Sequence, residues 1–421
     1  MTDMALAPHI AHVQPDQPAQ DEESAPRPKS FISAALSHPL FDYHLVIAAS
    51  AVLLCLGLLM VISSSSVIAA AQTGNPYYFG ERQLVFAVIG LLGATVLALL
   101  PEKLLKGLSL PALLAAIVLI ILTFTPLGVS VAGNNNWVSL GPSWTQFQPS
   151  EFAKLAIILW GAKDLAARRK HLNDMRQWFV YIIASFTIVA LVVLQKDQGT
   201  AMVMAAMVIL VLIAAGAPWR LLFGLIGVAA VGVVGLIIIQ PYRMDRIWAF
   251  LNPDTDPLGM NLQPRRSIYA LASGGWFGQG LGASRQKWGL LAEAHTDYIF
   301  AIIGEELGLL GTLTVIALFV ALAWAGIRIA TKSSPFYRLV AIGVVAWFSV
   351  QAFVNIAVAV RAIPVMGVTL PMISYGGSSL MANLFAVGLL AGCARHEPEA
   401  GRVFLSRKHR PRIRAIVREN A

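Results

Sequence analysis

Ten apolar stretches lie near residues 44–71, 83–100, 109–127, 150–167, 178–195, 199–217, 219–240, 298–329, 337–360 and 377–395. Each is long enough to cross about 30 Å of hydrocarbon as a helix. In lipid every backbone N–H and C=O must be satisfied inside its own segment, so runs of this length have to be helical. The expected fold is an all-α polytopic membrane protein of about ten transmembrane helices. Composition agrees, with 57% of the 421 residues hydrophobic and 13% charged, a balance foreign to soluble domains.

Loop charges set the orientation. Lys103 and Lys106, then Lys163, Arg168, Arg169, Lys170 and Arg176, then Arg220, then Arg328, Lys332 and Arg338, and finally the tail from Arg395 to Arg418 fall in alternate loops, while residues 128–149 carry no Lys or Arg. Positive charge favours the cytoplasmic side, so both termini are expected there, in the cytoplasmic (inner) membrane. The long segment 241–297, between helices 7 and 8, holds six basic and five acidic residues. Loops near 60 residues translocate largely regardless of charge, so it is expected to be extracytoplasmic. Residues 1–43, rich in Pro, Gln, Asp, Glu and Ala and without a signal-peptide pattern, read as a disordered cytoplasmic tail, 44–395 as the membrane domain and 396–421 as a basic cytoplasmic tail.

The net charge of +9 belongs to these loops and to the tail, where membrane orientation and anionic lipid account for it; nucleic acid is not an expected partner. Cys55 and Cys393 sit in apolar runs with no metal-ligand spacing and read as packing residues. Glycines such as Gly90, Gly93, Gly224, Gly227, Gly232 and Gly235 read as helix-packing positions.

Chemistry-bearing residues concentrate in GGWFGQGLGASRQKWGLLAEAHTDYIFAIIGEELG, residues 274–308. Asp297 opens an apolar helix and is the candidate catalytic residue. A carboxylate there also stabilises a helix N-terminus without chemistry. Trp276, Arg285, Lys287, Trp288, His295 and Thr296 surround it in sequence and supply the cations and aromatic donors that a sugar diphosphate needs. Glu305 and Glu306 lie about 12 to 13 Å further along a continuous helix, beyond the roughly 6.5–9.5 Å of an inverting carboxylate pair. They are expected to pair with cations or to cap polar groups inside the bundle.

Two further segments qualify. In QPSEFAK, Glu151 and Lys154 are one helical turn apart, suited to a local ion pair or to contact with a diphosphate. After Pro364, Gly367 and Pro371, residues Ser374, Tyr375, Gly376, Gly377, Ser378 and Ser379 open the last span, either as an anion-binding helix start or as a plug in the bundle. Lys196-Asp197-Gln198-Gly199-Thr200 reads as a solvated outer turn.

Together the 274–308 segment, QPSEFAK and LPMISYGGSS closely resemble the SEDS family of cell-wall proteins (shape, elongation, division and sporulation), across about residues 45–395. SRQKW before EAHTD, and the Ser63–Ser66 run with Val67, look more like its cell-division members than its elongation members. The resemblance implies the ten-helix SEDS fold and a peptidoglycan glycosyltransferase that polymerises lipid II at the outer face of the cytoplasmic membrane. It assigns the essential aspartate of the HTD motif to Asp297. It also implies a class B penicillin-binding protein and other division proteins as partners, and a place at the division septum. It makes no cofactor certain; a divalent cation, magnesium or manganese, could serve. Where family members commonly carry an arginine just before the loop tryptophan, this chain has Asn134, Asn135 and Asn136 before Trp137. Two other functions fit such a chain: a lipid II flippase, with essential ionisable groups near the midplane, and a noncatalytic division scaffold acting through its tails.

Overall fold

A computed structural model describes residues 38–131, 133–139, 141, 145–171, 174–239, 242–252, 254 and 259–408. Residues 1–37 of the expected N-terminal tail and 409–421 of the basic tail lie outside the described residues.

The chain runs α1 (Phe41–Thr73), α2 (Tyr78–Leu99), α3 (Glu102–Leu122), a hairpin of β1 (Gly128–Val131) and β2 (Asn134–Val138), α4 (Pro149–Arg168), α5 (Arg176–Leu194), α6 (Gln198–Ala215), α7 (Trp219–Ile239), α8 (Tyr242–Leu251), α9 (Leu262–Ser273), α10 (Ile299–Lys332), α11 (Pro335–Ala359), α12 (Gly377–Arg395) and α13 (Pro398–Lys408). Each of the ten expected spans corresponds to one long helix. Eight are by themselves long and apolar enough to cross a membrane, and the chain is a multi-pass membrane protein. Helix α4 does not meet that measure because it carries Glu151, Lys154, Lys163, Asp164 and Arg168, yet thirteen of its residues are buried. Glu151 and Lys154 are among them and are housed by protein.

Boundaries differ where caps decide them. Helix α3 begins at Glu102, not near 109: Pro101 holds extended backbone at the N-cap, Glu102 stands in the first turn, and Lys106 bonds it at 2.6 Å one turn on. The segment expected as a single long loop holds two helices, α8 and α9. Part of the segment expected as a basic tail is α13, with the Phe404 ring 5.5 Å from Tyr43.

Helices α4, α11 and α12 and the N-terminal end of α10 form the centre. Small residues set the close approaches, with Gly90 of α2 against Leu384, Gly93 against Phe385 and Gly388 of α12 against the Ala94 backbone. The expectation fails for α7: a Cβ at Gly224, Gly227, Gly232 or Gly235 would meet nothing within 4 Å. Cys393 is buried, whereas Cys55 is exposed on α1. Near the start of α1, Asp42, 2% exposed, meets Arg328 at 2.8 Å and Lys332 at 2.6 Å. At the other end Ser63 of α1 bonds Glu306 of α10 at 2.7 Å. Helices α1 and α10 are thereby tied at both ends.

Helix α10 is not continuous. Gly308 has φ 68° and ψ −164°, a conformation open only to glycine. The hydrogen bonds missing at the break are supplied by the preceding loop: Gln279 N donates to Glu305 O at 2.9 Å, Gly280 N to Glu306 O at 3.0 Å, Leu309 N to Gly275 O at 2.9 Å and Leu310 N to Trp276 O at 3.2 Å. Residues 309–332 alone span about 36 Å at 1.5 Å per residue, a full crossing. Residues 299–306 are a separate short helix, buried at every position, that carries Asp297 at its mouth.

Candidate active site

Asp297 lies half-buried in the wall of a cavity of about 1620 Å³. The tripeptide His295-Thr296-Asp297 is gripped through three successive carbonyls. Tyr375 N donates to His295 O at 2.9 Å, the Ser374 hydroxyl to Thr296 O at 2.7 Å and Asn355 Nδ2 to Asp297 O at 2.8 Å. Asn355 also bonds Val368 O at 2.7 Å, and Ser374 Oγ accepts Leu370 N at 2.7 Å. The turn before it is closed by Glu293, at φ 56°, whose carboxylate accepts the Thr296 hydroxyl at 2.6 Å. With its backbone fixed, the Asp297 carboxylate lies beside Gly367, where an added Cβ would stand 3.5 Å from Oδ2. Burial first, then the charges of Glu293 and Asp197, push its pKa up to about 7. Burial lowers the pKa of His295; the ring packs 5.2 Å from Phe79 and 5.6 Å from Tyr375.

Across the cavity stands Asp197, 6% exposed. It caps α6 through Thr200 N at 3.1 Å and accepts Asn136 Nδ2 at 2.8 Å and Gln148 Nε2 at 2.7 Å. The turn read as solvated is therefore a buried hub, the correction with the largest consequence for the site. Aspartate three residues before a threonine at a helix start is a capping signal; its burial depends on the hairpin, pinned by Asn135 N to Gln195 O at 3.0 Å. Asn136 fills the place beside Asp197 with an amide.

Glu151 and Lys154 form the local ion pair expected of them. They pair at 2.9 Å, buried, and both line the cavity. Lys154 also donates to Gln351 at 2.9 Å and lies 4.6 Å from the Trp347 ring centre. Tyr375, Gly376, Gly377, Ser378 and Ser379 line the cavity too. Ser374 does not line it and acts as the clamp on Thr296. Gly376 N donates to Gln83 at 3.2 Å and Ser378 Oγ accepts Gln148 N at 3.1 Å, so the start of α12 is bound to its neighbours as well as facing the cavity.

The structure does not bring Trp276, Arg285, Lys287 or Trp288 to Asp297. None lines the cavity. Trp276 and Trp288 are each 69% exposed on the far loop. Glu305 accepts Arg285 N at 2.9 Å and the Ser284 hydroxyl at 2.5 Å, and Lys287 lies 3.6 Å from Glu306 and donates to Gly282 O at 2.6 Å. Sequence proximity to Asp297 misleads here, because the loop folds down along α10 to the break at Gly308. The two glutamates cap and pair inside the bundle, as expected of them. Arg82 and Arg246, by contrast, line the cavity and carried no signal in sequence.

The cavity continues between α5, α6 and α7 as an apolar groove, walled by Phe186, Val189, Val208, Leu225 and Val228 among others. One end of the site is thus polar and the other oily.

Comparison with known proteins agrees with this geometry. Residues 43–399 match the cell cycle protein family of FtsW, RodA and SpoVE. A probable peptidoglycan glycosyltransferase FtsW of Mycobacterium tuberculosis is 37% identical over 394 residues, 92% of this chain and 75% of that protein. Stage V sporulation protein E of Bacillus subtilis is 39% identical over 84% of this chain and 96% of its own length. Among solved structures, a chain of a peptidoglycan synthase complex that coordinates polymerization and crosslinking superposes with a TM-score of 0.68 at 30% identity, covering 84% of this chain and 97% of that one. The rod shape determining protein RodA of Thermus thermophilus gives 0.61 at 28% identity, with coverage of 84% and 96%. With the match running from the start of α1 into α13, the chain belongs to the FtsW, RodA and SpoVE family of cell cycle proteins.

Proposed function

We propose that this protein is a peptidoglycan glycosyltransferase that polymerises lipid II at the outer face of the cytoplasmic membrane, during septal wall synthesis, beside a class B penicillin-binding protein. The observation that carries the reading is Asp297, a carboxylate of raised pKa on rigidly held backbone, facing a cavity that is polar at one end and apolar at the other. Lipid II has the same two ends: a disaccharide-peptide on a diphosphate, and a polyprenyl chain that fits the groove between α5, α6 and α7.

In this reaction Asp297 takes the proton from the acceptor GlcNAc 4-hydroxyl as its oxygen attacks the anomeric carbon of the donor MurNAc. The bond to undecaprenyl diphosphate breaks, and the α-linked donor becomes a β-1,4 glycan. A base with a pKa near the working pH is the efficient choice. A diphosphate leaves without a second carboxylic acid once its charge is neutralised. Arg82 and Arg246 line the same cavity and supply positive charge, beside the Lys154–Glu151 pair. Among the described residues no group of three or more His, Cys, Asp or Glu could hold a metal by itself. Magnesium binds through one or two carboxylates together with substrate phosphates, and Asp197 could contribute such a ligand; the ion would neutralise the leaving diphosphate. The flippase reading needs ionisable groups free to act near the midplane, and Glu305 and Glu306 are engaged in holding the 274–288 loop.

The test is polymerisation of purified lipid II by the protein reconstituted with its penicillin-binding partner, the transpeptidase blocked, for wild type and Asp297→Ala. Glycan strands from the wild type alone, at equal folding and complex formation, are the expected result. Equal product from both removes Asp297 as the base, and lipid II crossing vesicles without any polymer favours the flippase.

A further inference from the structure

Beside the Asp297 cavity is a second one of about 350 Å³, and the two share Arg246, Gln263, Pro364 and Val365 as walls. It contains no residue of α5, α6 or α7. It therefore lies off the apolar groove. Arg361 lines it.

The backbone of Arg361 is unusual. It has φ 56°, at the C-terminus of α11, where Arg361 N donates to Val358 O at 2.9 Å and Ala362 N to Ala357 O at 2.7 Å. These two bonds form a Schellman cap with Arg361 at the left-handed position that glycine ordinarily fills. A non-glycine residue there is strained, and strain of this kind concentrates at functional sites. The side chain has a defined direction: Nη2 donates to Asn261 Oδ1 at 3.2 Å, and Asn261 is 1% exposed. The guanidinium is thus oriented into a chamber walled also by a second arginine, the amide of Gln263 and the ring of Phe250.

We propose that this chamber is a subsite for the peptide arm of the substrate, in which Arg361 binds a peptide carboxylate. The subsite presupposes the lipid II polymerase reading and adds to it a determinant of substrate specificity. Guanidinium matches carboxylate in a planar two-bond geometry. The competing anion in the same substrate is the diphosphate. It is attached to the lipid chain and so belongs at the groove, whereas the peptide branches from the sugar and is free to extend into the adjoining chamber.

Arg361→Gly is the informative variant, because glycine suits the backbone and only the side chain is lost. Two readouts are compared with wild type: calorimetric binding of soluble GlcNAc-MurNAc-pentapeptide to the detergent-purified protein, and KM for polymerisation of lipid II with free or amidated peptide carboxylates. The variant is expected to bind the free-carboxylate compound about tenfold more weakly, in line with loss of a charge-assisted hydrogen bond, and to raise KM to the same extent. With amidated carboxylates, variant and wild type should coincide. An equal loss on both substrates assigns Arg361 to the diphosphate and overturns the proposal, as does no change on either. Should the wild type make no polymer at all, the polymerase reading fails, and the binding comparison still decides the subsite.

Discussion

Replacing Asp297 by Asn removes the charge and leaves the volume, and the structure sets both the size and the sign of the effect. The carboxyl pKa is about 7 in the folded protein against 3.8 for a free side chain. At about 1.36 kcal/mol per unit, ionised Asp297 costs the fold at most about 4 kcal/mol. Because the folded state holds the proton more tightly, stability contributed by protonated Asp297 is full below pH 3.8 and is lost as pH rises through about 7. Asp297→Asn should therefore unfold at a higher temperature than wild type at pH 8, with the gap narrowing towards pH 5, when monitored by tryptophan fluorescence in detergent. In parallel, kcat/KM of the wild type should rise through an acidic limb near pH 7, and the variant should make no glycan. A stability gap that is the same at pH 5 and pH 8 would refute the idea that burial of charge at this position sets its proton affinity.

Other consequences can be checked in the same preparations. Asn355→Ala leaves the Asp297 and Val368 carbonyls without their shared donor; it should cost about 1–3 kcal/mol and lower kcat more than it raises KM, since the base is displaced while the cavity stays. Lys154→Met strands Glu151, 3% exposed, and should destabilise by about 3–5 kcal/mol, with most of that recovered in the double variant Lys154→Met/Glu151→Gln, measured by thermal unfolding. Gly308→Ala directs a methyl group into the Gly278 amide at a left-handed backbone position. It should release the 274–288 loop to proteolysis and reduce polymerisation along with it.

Hydrophobic runs alone were enough to place the ten spans, because in lipid length and apolarity are nearly the whole constraint. Asp297 could also be found from sequence, as a charge at the head of an apolar helix. Glu151, Lys154, His295, Thr296 and the start of α12, also picked out in sequence, do line its cavity; what could not be read was that the cations and tryptophans just upstream do not. Arg285 and Lys287 are only ten or twelve positions away and belong to a different cluster, because the φ of Gly308 opens α10 and lets the loop run down its side. Asp197 and Gln148 are distant in sequence and converge on the site, since a hairpin and two helix starts meet there. Charge pairing of buried groups depends on that convergence, and no local pattern records it.

The groove between α5, α6 and α7 changes how such a protein meets its substrate. Open to the side, it can be reached by a molecule sliding within the leaflet, without that molecule leaving the bilayer. Encounter is then a two-dimensional search. Affinity and turnover should track the surface density of the lipid-linked substrate, so diluting it with inert lipid at constant bulk concentration should slow the reaction, and diluting the vesicles in buffer should not.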